Sequence, residues 1–253
     1  MSLLLGSLLL RPYVFLFLLA YLVVAIRDLG LRRTALFTAW VWPVAFLAEF
    51  SSTRTGIPFG LYHYTGDTRG RELFFADVPF FDSLSFVFLA YAAYCLARLV
   101  LSTRDALPMA LGGGTLMMLL DVVIDPLAVR GDRWFLGRIF WYADPGVYFG
   151  VPLSNFAGWW LVGAAGIGGY LLLAARFGGR ATSDERPGPG VGLYYGVLAF
   201  NLVMTAWIAE WWLLLVGVAV HAVLGFILFQ GSDESAVRPM RSAGRGTKSP
   251  SEV

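Results

Sequence analysis

The sequence predicts an all-α polytopic membrane bundle of about seven transmembrane helices joined by aromatic-rich interfacial loops. Three observations carry that prediction. Across 253 residues, 58% are hydrophobic and only 14% charged, where a soluble domain has about 25% charged residues. The mean hydropathy is +0.68. The apolar residues also fall into long runs, and roughly 20 such residues cross a bilayer as a helix. This composition excludes a disordered chain, a fibre and an ordinary soluble enzyme. The single cysteine, Cys95, excludes a disulfide framework. Two histidines leave no His-rich metal cage, and a net charge of +2 gives no signal for nucleic acid. Lys248, the only lysine, lies near the C-terminus, so the body holds none for Schiff-base chemistry.

The first span covers Pro12–Ile26, with an apolar run reaching back to Leu3. The second covers Thr34–Phe50, the third Phe80–Leu101, the fourth Ala106–Leu127 and the fifth Ser154–Ala175. The sixth and seventh, Gly192–Ile208 and Glu210–Phe229, leave room only for a tight hairpin at Ala209–Glu210. Residues 1–230 form one transmembrane domain, and 231–253 read as a disordered tail rich in Ser, Arg and Gly. The segment Gly178–Gly190 reads as a polar linker. The N-terminus lacks a basic region and a small-residue cleavage site, so it is read as retained. Twelve basic residues follow the odd-numbered spans and seven follow the even-numbered ones or precede the first. The positive-inside rule then places the N-terminus outside and the C-terminus in the cytoplasm of the inner membrane.

Two loops, Ser51–Pro79 and Ala128–Leu153, are long yet rich in aromatics, Gly and Pro. Solvated loops rarely look like this. Such segments lie in the interface or fold back as a cap, because irregular backbone at membrane depth needs protein or water against it.

The acids concentrate on the outer side. Glu49 closes the second span, Asp82 opens the third, Asp121 and Asp125 close the fourth, Asp144 precedes the fifth, and Glu210 joins the last two. An ionised Asp at mid-bilayer costs about 2.5–3.5 kcal/mol on insertion scales, so such groups face the bundle interior and commonly mark a site. Asp121 and Asp125, in MLLDVVIDP, share one helical face at i,i+4 spacing. Two carboxyls crowded in an apolar setting favour holding a proton between them, as a general acid requires. The alternative is a polar cluster bridging helices through Asn155, Tyr62 or an arginine. Glu49 could equally be an interface charge paired with Arg54. Asn155 could cap the fifth helix or bond a carboxylate across the bundle. Trp159, Trp160, Trp207, Trp211 and Trp212 read as belt or packing residues. Ala164, Ala165, Gly168 and Gly169 read as a close helix contact. Gly112–Gly114 lacks the Lys and Ser/Thr of a phosphate loop. His63 reads as a loop hydrogen-bonder and His221 as packing.

Two stretches carry a family resemblance: EFSSTRTGIPFGLYHYT (49–65), and DVVIDP (121–126) with WYADPGVYFGVPLSNFAGW (141–159). The spacing E-x6-G-x-P-F-G-x-Y-x-Y is specific. With seven spans, the chain resembles the integral-membrane carotenoid hydratases. The resemblance implies cofactor-independent, metal-free addition of water to a terminal isoprenoid double bond of an acyclic carotenoid end, giving a tertiary alcohol. It implies Glu49, Tyr62, Tyr64, Asp121, Asp125 and Asn155 as site candidates, with a long polyene, water and the lipid bilayer as partners. In that chemistry one of Asp121 and Asp125 is expected to be the acid, with Glu49 and Asn155 holding water. Tyr62, Tyr64, Trp141 and Tyr148 are expected to face the passing cation, at about 0.5–2 kcal/mol per cation–π contact. Phe59 and Asp144 complete the expected substrate-binding set. A carotenoid end-group cyclase would begin with the same protonation. A membrane prenyltransferase would want a second Asp-rich motif facing DVVID, and a transporter would show matching repeats; neither feature is seen.

Overall fold

A computed structural model describes residues 2–177 and 187–242, with side chains as far as Ile227. Among the described residues eight helices form an all-α bundle. Helix α1 (Leu3–Leu10) is capped by the Ser2 hydroxyl and ends at Arg11. Pro12 then occupies the first position of α2 (Pro12–Leu29), where its missing N–H costs nothing. The apolar run from Leu3 is therefore two helices, broken where a buried Arg11 turns inward. Helix α3 (Leu31–Thr55) stops at Gly56, whose φ of +79° is the left-handed cap that glycine adopts without strain. Helices α4 (Phe80–Val100), α5 (Ala106–Ala128), α6 (Leu153–Arg176) and α7 (Gly188–Trp207) follow. Helix α8 (Trp211–Ser242) closes the bundle.

Helices α2 to α7 are each long and apolar enough to cross a membrane, and α8 contributes a shorter apolar stretch, Trp211–Ile227. These seven coincide with the predicted spans. The hairpin between the last two is as tight as expected, turning at Ala209 with φ +58°. Most of the predicted linker (178–186) lies outside the described residues, and of the tail read as disordered (231–253), residues 231–242 continue α8 while 243–253 lie outside the described residues.

Helix α4 is the bundle's centre: every residue from Phe86 to Arg98 is buried. Its neighbours bury one face and expose Leu, Val and Trp on the other, as lipid-facing helices do. The closest approach is between α5 and α6. A Cβ on Gly114 would lie 2.6 Å from the Trp160 carbonyl oxygen and 2.9 Å from the Ala164 nitrogen. Small residues there let the two backbones meet.

The aromatic loops fold back over one end of the bundle. Strand β1 (Tyr62–Tyr64) pairs antiparallel with β4 (Phe140–Tyr142), with Tyr62 opposite Tyr142, His63 opposite Trp141 and Tyr64 opposite Phe140. A second small hairpin joins β2 (Phe74–Phe75) to β3 (Val78–Pro79).

Candidate functional site

The end of α3, the start of α4, the end of α5 and the start of α6 lie at one end of the bundle by chain topology alone. Each brings one polar side chain to a shared cavity: Glu49, Asp82, Asp125 and Asn155. The cavity has a volume of about 130 Å³. Its remaining wall is mostly hydrocarbon and aromatic. Phe59, Tyr62, Tyr64, Phe140 and Tyr142 come from the loop cap, and Phe86 and Trp159 from α4 and α6. At the far side Tyr13 and Phe17 of α2 meet Phe200 of α7 and Trp134 of the loop after α5. Tyr13 stacks on Phe200 with ring centroids 5.1 Å apart.

Glu49 is buried, and Arg54, its alternative partner in sequence, instead reaches Asp77. The Tyr64 hydroxyl donates to Glu49 Oε1 at 3.0 Å. The other oxygen, Oε2, is buried and has no hydrogen-bond partner among the described residues. A buried polar atom left unpaired costs about 1–3 kcal/mol, so its retention needs a reason.

Asp125 is the opposite case. Its Oδ2 accepts from the Trp159 indole at 3.3 Å and from the Tyr142 hydroxyl at 3.4 Å. Asp121, one turn earlier, is fully buried behind the wall. Asn155 Nδ2 donates to Asp121 Oδ2 at 2.6 Å, and the Asp125 backbone N–H donates to Asp121 Oδ1 at 3.3 Å. The i,i+4 pair therefore splits: Asp125 faces the cavity, and Asp121 braces Asn155 and the last turn of α5.

Burial, and then the nearby Glu49 carboxyl, pushes the phenols of Tyr62 and Tyr64 well above their ordinary range. Burial, and then Asp125, does the same for Tyr142. All three stay protonated, so Tyr64 and Tyr142 remain donors to their carboxyls.

Strand alternation explains which aromatics miss the cavity. Side chains along β1 and β4 alternate faces. Tyr62, Tyr64, Phe140 and Tyr142 point in, while His63 and Trp141 pack together outside with rings 5.0 Å apart. Trp141 is 40% exposed. Tyr148 bonds the Val122 carbonyl at 3.2 Å and Asp144 is exposed; neither is on the cavity wall. Glu210 serves the helix joint, where Arg130 and Arg133 hold it.

Sequence reasoning left four residues on or behind this wall out of the candidate set, although Asp82 was among the helix-end acids it noted. Trp159, read as belt or packing, is 4% exposed and lines the cavity; its place four residues after Asn155, on the same helical face, was the available signal. Tyr142 is set inward by the alternation that turns Trp141 out. Asp82 begins the stripe Asp82–Ser85–Phe86–Leu89 along α4, all on the wall. Arg11, a lone charge in an apolar run, is the residue that holds Asp82. Among the described residues no three His, Cys, Asp or Glu side chains are grouped to hold a metal ion.

The family described as "Carotenoid biosynthesis protein" matches residues 10–228, which include every helix from α2 through the apolar part of α8 and the whole cavity. The chain belongs to this family. The chain is 34% identical over 148 residues to a bisanhydrobacterioruberin hydratase of Haloarcula japonica. The matched stretch is 58% of this chain and 47% of that protein, so the chain spans about half the length of the curated relative it matches. No solved structure matches.

Proposed function

We propose that this member of the carotenoid biosynthesis family is a hydratase that adds water to the terminal isoprenoid double bond of an acyclic carotenoid end. The observation that carries the reading is the unpartnered oxygen of Glu49 in a cavity walled by hydrocarbon. An acid that protonates an alkene carbon needs no hydrogen-bond acceptor in the resting protein, because its acceptor is the substrate. The name of the Haloarcula relative supports the same reaction class.

In this reading Glu49, with Tyr64 fixing its other oxygen, gives its proton to the less substituted alkene carbon. A tertiary cation forms at the neighbouring carbon, between the faces of Tyr62, Phe86 and Trp159, where cation–π attraction is worth about 0.5–2 kcal/mol per ring. Water adds to the cation, and its surplus proton passes to the Asp125 carboxylate, already steadied by Trp159 and Tyr142. A proton returning from Asp125 to Glu49 through water resets the site. Alkene and water are consumed, a tertiary alcohol is formed, and no redox step or resident cofactor enters. Asp121 and Asn155 keep Asp125 in place. The acid is thus Glu49, where the sequence alone favoured the Asp pair.

The polyene partitions in the bilayer, so it enters sideways. The α2–α7 seam, lined by the rings of Tyr13, Phe17 and Phe200, is the entry in this reading. The positive-inside bias places the carboxylate end on the outer side of a cytoplasmic membrane. The test is expression in a host that accumulates acyclic-ended carotenoids, with mass analysis of the pigments. A product heavier by one water supports the reading. An isomer of unchanged mass marks end-group cyclisation instead, and unaltered pigments from a folded protein overturn both.

A further inference from the structure

Asp82 stands apart from the other cavity carboxylates because it is ion-paired. Arg11, 1% exposed, comes from the break between α1 and α2. Its Nε and Nη2 donate to the two Glu72 oxygens at 2.6 and 2.9 Å. Its Nη1 lies 2.7 Å from Asp82 Oδ1, a charge contact whose angle is not that of a hydrogen bond. Burial works against the Arg11 charge, but the pull of Asp82 and the Glu72 bond outweigh it and hold the guanidinium above its ordinary range.

The charge count of this triad is uneven. One guanidinium faces two carboxylates, so the cluster carries a surplus negative charge. Glu72 alone, gripping Arg11 in bidentate fashion, already neutralises it. Asp82 is therefore superfluous for holding Arg11, and a surplus buried charge is costly. Of the three, Asp82 is the one on the cavity wall. Among the described residues no Arg, Lys or His lines that wall. The independent sign that the wall faces a ligand is Glu49 Oε2, buried and unpartnered in the same cavity.

We propose that Asp82, held by Arg11, is the counter-charge for a cationic centre formed in the cavity, and that Glu72 sets the size of that charge from behind the wall. The proposal rests on the hydratase reading for the identity of the cation. It adds a catalytic residue, Asp82, and two positioning residues, Arg11 and Glu72. Aromatic faces stabilise any cation weakly along the cavity, whereas a fixed anion stabilises it at one place, beside the carbon where water must add. Since Asp82 and Arg11 are already paired in the resting protein, no reorganisation is needed when the cation appears.

The test compares binding of two isosteric probes, an isoprenoid ending in trimethylammonium and the same chain ending in tert-butyl. Quenching of Trp159 and Trp134, both on the wall, reports binding in detergent or nanodiscs. The wild-type protein is expected to prefer the ammonium by about tenfold or more. Asp82→Asn is expected to abolish the preference while tert-butyl binding persists, and Asp82→Glu to keep it. Glu72→Gln keeps one acceptor for Arg11, sets its amide NH2 against the other Arg11 N–H, and cancels the surplus charge. It is expected to reduce the preference about threefold or more without touching the cavity wall, a change that a merely structural Glu72 would not produce. If Asp82→Asn fails to bind the neutral probe, Glu72→Gln decides the matter. Equal affinity for the two probes in the wild type, or an undiminished preference in Asp82→Asn or Glu72→Gln, whichever binds tert-butyl, overturns the proposal. Its failure is distinct from failure of the hydratase reading, which is judged by whether the wild-type protein forms hydrated pigment.

Discussion

The cavity's polar residues differ in what each lacks. Glu49 lacks a partner for one oxygen, Asp125 has two donors on one oxygen, and Asp82 has an arginine. These differences, more than the number of acids, separate their roles. Glu49→Gln is expected to lower hydrated product by about a hundredfold or more, the scale of a lost general acid. It should not destabilise the fold, since it removes a buried carboxyl that is only half satisfied. Pigment mass analysis alongside thermal melting in detergent checks both halves; a variant with full activity would remove Glu49 from the mechanism. Much of this wall was legible in the sequence because Glu49, Phe59, Tyr62 and Tyr64 sit in one short stretch. Arg11 was not, because its partners Glu72 and Asp82 lie more than 60 residues away and only folding pairs them.

Among the elements, the α5–α6 crossing has the least tolerance. A methyl on Gly114 meets backbone atoms of α6, which cannot swing aside as a side chain can. Gly114→Ala is expected to destabilise by about 1–3 kcal/mol, the usual cost of overpacking. The same change at Gly196 of α7, where an added Cβ meets nothing within 4 Å, is expected to be neutral or stabilising by up to about 1 kcal/mol. Melting temperatures of the two variants, measured in one detergent, should separate in that order. The seven spans were legible from apolar runs of bilayer length. The inward and outward sides of the loop cap were not, because strands β1 and β4 are three residues each and pair across the sequence. A period of two is hard to see over three residues. Once the register is known, it explains why Trp141 and His63 lie outside while Tyr142 lies inside.

For the whole molecule, the aromatic cap ties stability to alkaline pH. Burial pushes the Tyr148 phenol, which bonds the Val122 carbonyl, up to about 12. A phenol in the unfolded chain ionises near 10. The folded state therefore holds this proton more tightly, and the stability it contributes is complete below about pH 10 and lost as pH rises toward 12. Tyr148→Phe is expected to flatten the decline in melting temperature over that window and to leave the neutral-pH profile unchanged in slope. An unaltered alkaline limb would show that this phenol is not linked to folding.

The contrast between glycine-tight α5–α6 and ring-closed α2–α7 has a mechanical consequence. Phe17 and Phe200 face each other across the latter seam with centroids 5.7 Å apart. Replacing both by cysteine, with Cys95 buried in α4, and bridging them with a reducible bifunctional thiol reagent would give a reversible staple. Cross-linked, the protein should exclude long pigments yet still admit water; reduced, it should regain turnover. A comparable staple across α5 and α6, whose backbones already meet at Gly114, is expected to leave turnover unchanged.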